Sequence, residues 1–335
     1  MLTLDPLIDR RLCRVFVIQT FTRWFGGVAR EDYADAWLAA TGALTPEESH
    51  AIEVLRAAMP RDRGCTVIRA LALDDPTLAP ALRAASDALA ARAARIVEEA
   101  EPALRYWQRQ LQGPFPAWYE CMRETLDRFF GTSGMHPFRV YLLPSGKGSV
   151  SGNGDMFVEN GATNLDCSGL DAGGLVAALT TVLHEGVHSI YQRLILTPLV
   201  DAAVDTPEGE RMEALRRESP VPFGLDSYVG ELVAGALEGG ILREHCGLGS
   251  QAAHWQGVVE RAYSILDDAT FDGWDYEAWV GLGAASMIPV AARYLSAGRA
   301  ADAGLVCEAL AIFESTYRRW ENAHGGQRPV SPRAR

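Results

Sequence analysis

Residues Thr181 to Ile190 read TVLHEGVHSI, and the only ionisable side chains in this run are His184, Glu185 and His188. All of their neighbours are uncharged, so the segment is expected to be a helix buried around most of its circumference. Buried imidazoles and a buried carboxylate are costly unless other groups satisfy them. Any fold for this chain must therefore bring polar partners or a cation to one face of that helix. On a helix, His184 and His188 are four apart and project from the same face about one turn apart. That spacing lets two imidazole nitrogens each lie ~2.0–2.1 Å from one zinc ion. Glu185, beside His184, can reach a water at such an ion and serve as its general base.

Around this segment the chain is mainly α with one small β-sheet. Residues 7–25 place Leu12, Val15, Phe16, Ile18 and Phe21 at helical spacing, with Gly26 and Gly27 as a stop. Residues 78–111 are rich in strong helix formers and broken at Pro80 and Pro102, and a further helix is expected from Ala117 to Phe130, ending at Gly131. The texture changes at residues 138–143 (FRVYLL), an aromatic and β-branched run between Pro137 and Pro144 that reads as a strand. Residues 145–164 are Gly-rich, with a second strand candidate at Met156, Phe157 and Val158. The part with Gly146 and Lys147 lacks the spacing of a phosphate-binding loop and reads as a hairpin loop. Helical patterning returns at 172–196, 207–217, 227–245, 252–266, 276–295 and 301–320. A seam at Met135 and His136 is expected to divide an N-terminal helical region, 1–134, from a region 135–335. The latter carries the sheet (136–165), the HExxH helix (172–196), the helix at 227–245 and the C-terminal helices.

Composition narrows the classes. The 335 residues are 48% hydrophobic and 22% charged, a globular balance that excludes a disordered or fibrous chain. Lys plus Arg is 31 against 43 for Asp plus Glu, a formal charge of −12, which argues against nucleic acid and anionic membranes as partners. No uncharged run reaches the ~20 residues of a membrane span. The opening MLTLDPLIDRR has acids and no basic segment ahead of an apolar one. The six cysteines (Cys13, Cys65, Cys121, Cys167, Cys246 and Cys307) form no CxxC pair. The expectation is a cytoplasmic protein with reduced thiols.

The uncharged flanks around HExxH resemble the active-site helix of the zincin metallopeptidases, and the similarity extends over residues 136–245, about a third of the chain. The resemblance implies a zincin-like core in which a small sheet precedes the helix, with residues 138–143 as an inner strand. Residues 155–161 (DMFVENG) would then form an edge strand running antiparallel to a bound peptide. It implies Zn2+ as cofactor, held by three protein ligands with water in the fourth position. The metzincin continuation is absent, because Tyr191 and Leu194 stand where its Gly and His belong, and Cys167 lacks the context of a peptide deformylase cysteine. Gluzincins take a glutamate from a later helix, and Glu231 and Glu238, seven apart, would share one face of such a helix. Glu238 is the expected ligand, because Leu237-Glu238-Gly239-Gly240 resembles the gluzincin pattern and Ala234 and Gly235 would allow close helix approach. Glu231 is the alternative, as ligand or as acceptor for a histidine N–H. Tyr228 heads the candidates for oxyanion stabilisation, with Tyr191, His245 and His254 behind it.

These readings combine into a zinc-dependent hydrolase, most simply a peptidase, that cleaves an amide bond by metal-activated water with Glu185 as base. The peptide nature of the substrate rests on the resemblance alone. Two alternatives stand beside it. One is a metal-dependent enzyme acting on a small non-peptide amide or a biosynthetic intermediate. The other is a helical binding protein whose zinc is structural.

Overall fold

The computed structural model describes residues 1–23, 31–58, 66–144, 151–154, 162–167 and 172–324. The strand candidate at Met156 to Val158 and the expected edge strand at 155–161 lie outside them. The chain forms two compact units, one built from residues 2–115 and 137–189, the other from residue 1 with 116–136 and 190–335. One chain crossing lies beside the expected seam at Met135 and His136. The segment with His184 and His188 groups with the N-terminal helices, and residues 116–134 group with the later helices.

In the first unit, a four-stranded sheet runs in the order β1-β2-β4-β3. Its strands are β1 (Leu2–Leu7), β2 (His136–Pro144), β3 (Ser151–Gly154) and β4 (Ala162–Cys167). The FRVYLL strand is thus internal. It runs parallel to β4, with Val140 opposite Thr163 and Leu142 opposite Leu165, and β3 pairs with β4 antiparallel. Consecutive residues Val140 to Leu143 are all buried, the mark of a strand covered on both faces.

The helices of this unit are α1 (Arg10–Thr22), α2 (Glu31–Thr41), α3 (Pro46–Ala58), α4 (Thr66–Leu73), α5 (Pro80–Gln110) and α7 (Ala172–Gly186). Asp9 caps α1 by accepting from the backbone N–H groups of Arg11 and Leu12. The strand β1 ahead of it is an element that the helical spacing of residues 7–25 concealed. Pro80 sits in the first turn of α5, where its missing N–H is not needed, but Pro102 lies inside that helix without ending it. The α5 face carrying Leu89, Ile96, Val97, Leu104 and Trp107 is buried and packs against α1 and α3. That burial outweighs one lost backbone bond. Helix α7 lies on β3 and β4. Its Gly186 is required sterically, since a Cβ there would stand 2.8 Å from Cδ1 of Leu2.

The second unit begins with α6 (Ala117–Phe130), which ends as expected at Gly131 in a left-handed conformation with φ of 66°. The helix that starts as α7 continues without interruption as a π-helical segment, Val187–Leu196. It is followed by α8 (Thr197–Val204), α9 (Pro207–Glu218), α10 (Leu225–Ala234), a π-helical segment Gly235–Leu242 and α11 (Arg243–His245). Then come α12 (Ala252–Leu266), a π-helical turn Glu277–Gly281, α13 (Leu282–Ser296) and α14 (Ala303–Ala323). Aromatic residues fill the core: Tyr228 meets Phe313 at 5.0 Å between ring centroids, and Trp279 meets Trp320 at 6.0 Å.

Cys121 of α6 and Cys246, just after α11, form a disulfide with their Cα atoms 5.7 Å apart. The expectation of reduced thiols therefore fails for this pair, because folding joins cysteines separated by 125 residues. Among the described residues Cys13, buried, and Cys307, exposed, are free. No helix among the described residues is long and apolar enough to cross a membrane. A cross-link over so long a loop restricts the unfolded chain and is worth about 2–5 kcal/mol. Cys121→Ser and Cys246→Ser are each expected to lower the unfolding free energy by that amount in non-reducing urea titrations. Wild-type stability in both variants would show that the bond does not form.

Candidate metal centre

His184 stands on the last turn of α7, and His188 on the π-helical segment that prolongs it. Their Nε2 atoms are 3.1 Å apart and their rings meet edge to face at 4.8 Å. Burial, with a smaller contribution from His188, pushes the His184 pKa down to about 3. The ring is therefore neutral at physiological pH, and a nitrogen lone pair is available. Glu185 is buried, with 8% of its surface exposed.

The third member is Glu231. One ligand atom from each of His184, His188 and Glu231 can be chosen so that all lie within 4.8 Å of one another. Two nitrogens bound tetrahedrally to one zinc at ~2.0–2.1 Å stand ~3.3 Å apart, close to the histidine spacing. Two imidazoles and a carboxylate are also the donor set of His2Glu zinc sites. The residues fit the ion.

Local packing explains the place of Glu231. Gln192 lies one turn beyond His188, and its side-chain amide occupies the space that a Cβ at Gly230 would need, 2.0 Å from Oε1. The same amide donates from Nε2 to the backbone oxygen of Asp226 at 3.2 Å. Glycine at 230 thus lets the π-helical segment and α10 approach closely, and Glu231 is the next residue. The Tyr276 hydroxyl donates to Oε2 of Glu231 at 2.8 Å. Such a bond fixes the orientation of the carboxylate.

The expectation that Glu238 completes the set is not met. It lies 3.9 Å from Nη1 of Arg243 and is not part of the cluster. Two physical reasons account for this. Glu231 and Glu238 are seven residues, about 10 Å, apart along the helix, so a cluster that holds one leaves the other out. Gly235, expected to admit the HExxH helix, packs against Ala284, and Gly239 and Gly240 pack against Trp255 and Ile288.

Tyr228, the first candidate for oxyanion stabilisation, lies in the core. It is fully buried and its hydroxyl donates to the backbone oxygen of Trp279 at 3.0 Å. Tyr191 is a core residue, stacked on Phe130 at 4.6 Å and donating to Oδ1 of Asp127 at 2.7 Å. His245 lines two adjoining cavities of about 490 and 510 Å³ with Ile241 and Ala292, and His254 packs on Trp255. The residue that the sequence reading missed is Tyr276, which lies 45 positions from Glu231 with no local pattern linking them.

No protein-family model, no curated protein and no solved structure matches the chain. The geometry alone therefore sets the next expectation. Glu231→Gln should weaken zinc binding by more than the ~100-fold that marks loss of an outer partner, and Glu238→Gln should leave it unchanged. Competition against a chromophoric chelator measures both. The reverse order would return the third ligand to Glu238.

Proposed function

We propose that this protein is a zinc-dependent hydrolase that cleaves an amide bond, most simply that of a peptide. The observation that carries the reading is the convergence of ligand atoms from His184, His188 and Glu231 within 4.8 Å. Those three residues would hold Zn2+. When bound, zinc supplies a Lewis acid that polarises the amide carbonyl and lowers the pKa of water toward ~7. Glu185 accepts the proton of the attacking water on a carboxylate oxygen and delivers it to the departing amine nitrogen. Its burial keeps bulk water from competing for that oxygen. A structural zinc site has no use for a buried carboxylate next to its first histidine, which favours hydrolysis over a purely structural ion. The peptide as substrate follows from the zincin resemblance of the HExxH segment.

Glu185→Gln preserves size and polarity but removes the base. The variant should retain zinc while turnover falls by ~10²–10⁴-fold. Zinc-loaded wild type and variant incubated with a pooled peptide library, with cleavage read by mass spectrometry, make the comparison. Full activity of Glu185→Gln would refute the proton-transfer role. Cleavage of small acyl amides without cleavage of any peptide would keep the metal and replace the substrate class.

A further inference from the structure

Three aromatic side chains from two loops lead up to the carboxylate of Glu231. Phe223 comes two residues before α10, and Trp274 and Tyr276 lie in the segment that enters the π-helical turn Glu277–Gly281. The Trp274 ring stands edge to face with both others, at 5.4 Å and 80° from Phe223 and at 6.5 Å and 88° from Tyr276. The Tyr276 hydroxyl ends the series at Oε2 of Glu231.

These rings are more open to water than the buried aromatic core of their unit. Tyr228, Trp279 and Phe313 are all 0% exposed, whereas Phe223 and Trp274 are half-buried and Tyr276 is 49% exposed. Neighbouring aromatic groups left open to water mark a binding surface, since their hydration is unfavourable until something covers them.

The loops that carry them are anchored. Oδ1 of Asp275 accepts from the backbone N–H of Ala278 at 3.0 Å, and Nε of Arg261 meets Oε2 of Glu277 at 2.6 Å. The Tyr228 hydroxyl, bonded to the oxygen of Trp279, ties α10 to the same turn. Rings held in this way lose little further freedom when a ligand covers them. Charge sets the ligand's character as well. Asp272 and Asp275 in the second loop, and Asp226 and Glu277 in the helical elements that follow the two loops, are acidic, so an anionic ligand is disfavoured.

We infer that Phe223, Trp274 and Tyr276 form the substrate-recognition surface of the metal centre and accept an uncharged aromatic group beside the bond to be cleaved. The inference rests on the proposed function and adds the substrate class to it.

Two hydroxamates that differ in one side chain test it by binding alone. Zinc-loaded full-length protein is titrated by calorimetry with N-acetyl-phenylalanine hydroxamate and with N-acetyl-glycine hydroxamate. The aromatic probe should bind ~10-fold more tightly, the scale of one or two aromatic contacts. Trp274→Ala should abolish most of that preference, and Phe223→Ala, at the far end of the series, should reduce it. Equal affinity of the two probes for the wild type would overturn the inference. A preference that survives in both variants would overturn it too, and in either case the metal reading would stand. Failure of both probes to bind would remove the metal reading and the inference with it.

Discussion

The site depends on one constraint: three ionisable side chains share a helix whose remaining faces are apolar and covered. Val182, Leu183, Val187 and Tyr191 are all 0% exposed. Partial burial on such a helix disfavours a charged imidazole, and the His184 pKa lies far below the ordinary histidine value. On the proposed reading, that neutral ring, the second ring and the carboxylate share a cation. The close seat of Gln192 at Gly230 makes that carboxylate Glu231, because it sets which turn of α10 lies alongside the continuing helix.

Three π-helical segments adjoin these residues. One begins at Val187, beside His188, one begins four residues after Glu231, and one follows Tyr276 directly. A π turn has poorer packing and costs more than an α turn, so it persists where tertiary contacts reward the altered direction of a side chain. Glu231 and Glu238, seven residues apart, lie on either side of the start of one such segment at Gly235.

What was legible in the sequence was local. The HExxH spacing, the FRVYLL strand and the extent of α6 and α12 follow from periodicity and punctuation over a few turns. The features that escaped depend on distant partners. Pro102 was expected to interrupt a helix, and the apolar face of α5 holds it through. Strand β1 is defined by its place in the sheet, and its own six residues carry no clear alternation. The small residues from Gly235 to Gly240 do mark close packing, but against α12 and α13. Tyr276 at Glu231 and Cys121 at Cys246 are joined only in three dimensions.

The central claim is that His184, His188 and Glu231 hold a catalytic metal, and metal content tests it most directly. Protein prepared with zinc present and then dialysed against zinc-free buffer is analysed by inductively coupled plasma mass spectrometry. The account predicts about one zinc per chain, from a single three-ligand site with water in the fourth position. A chain that emerges folded and free of zinc would contradict it.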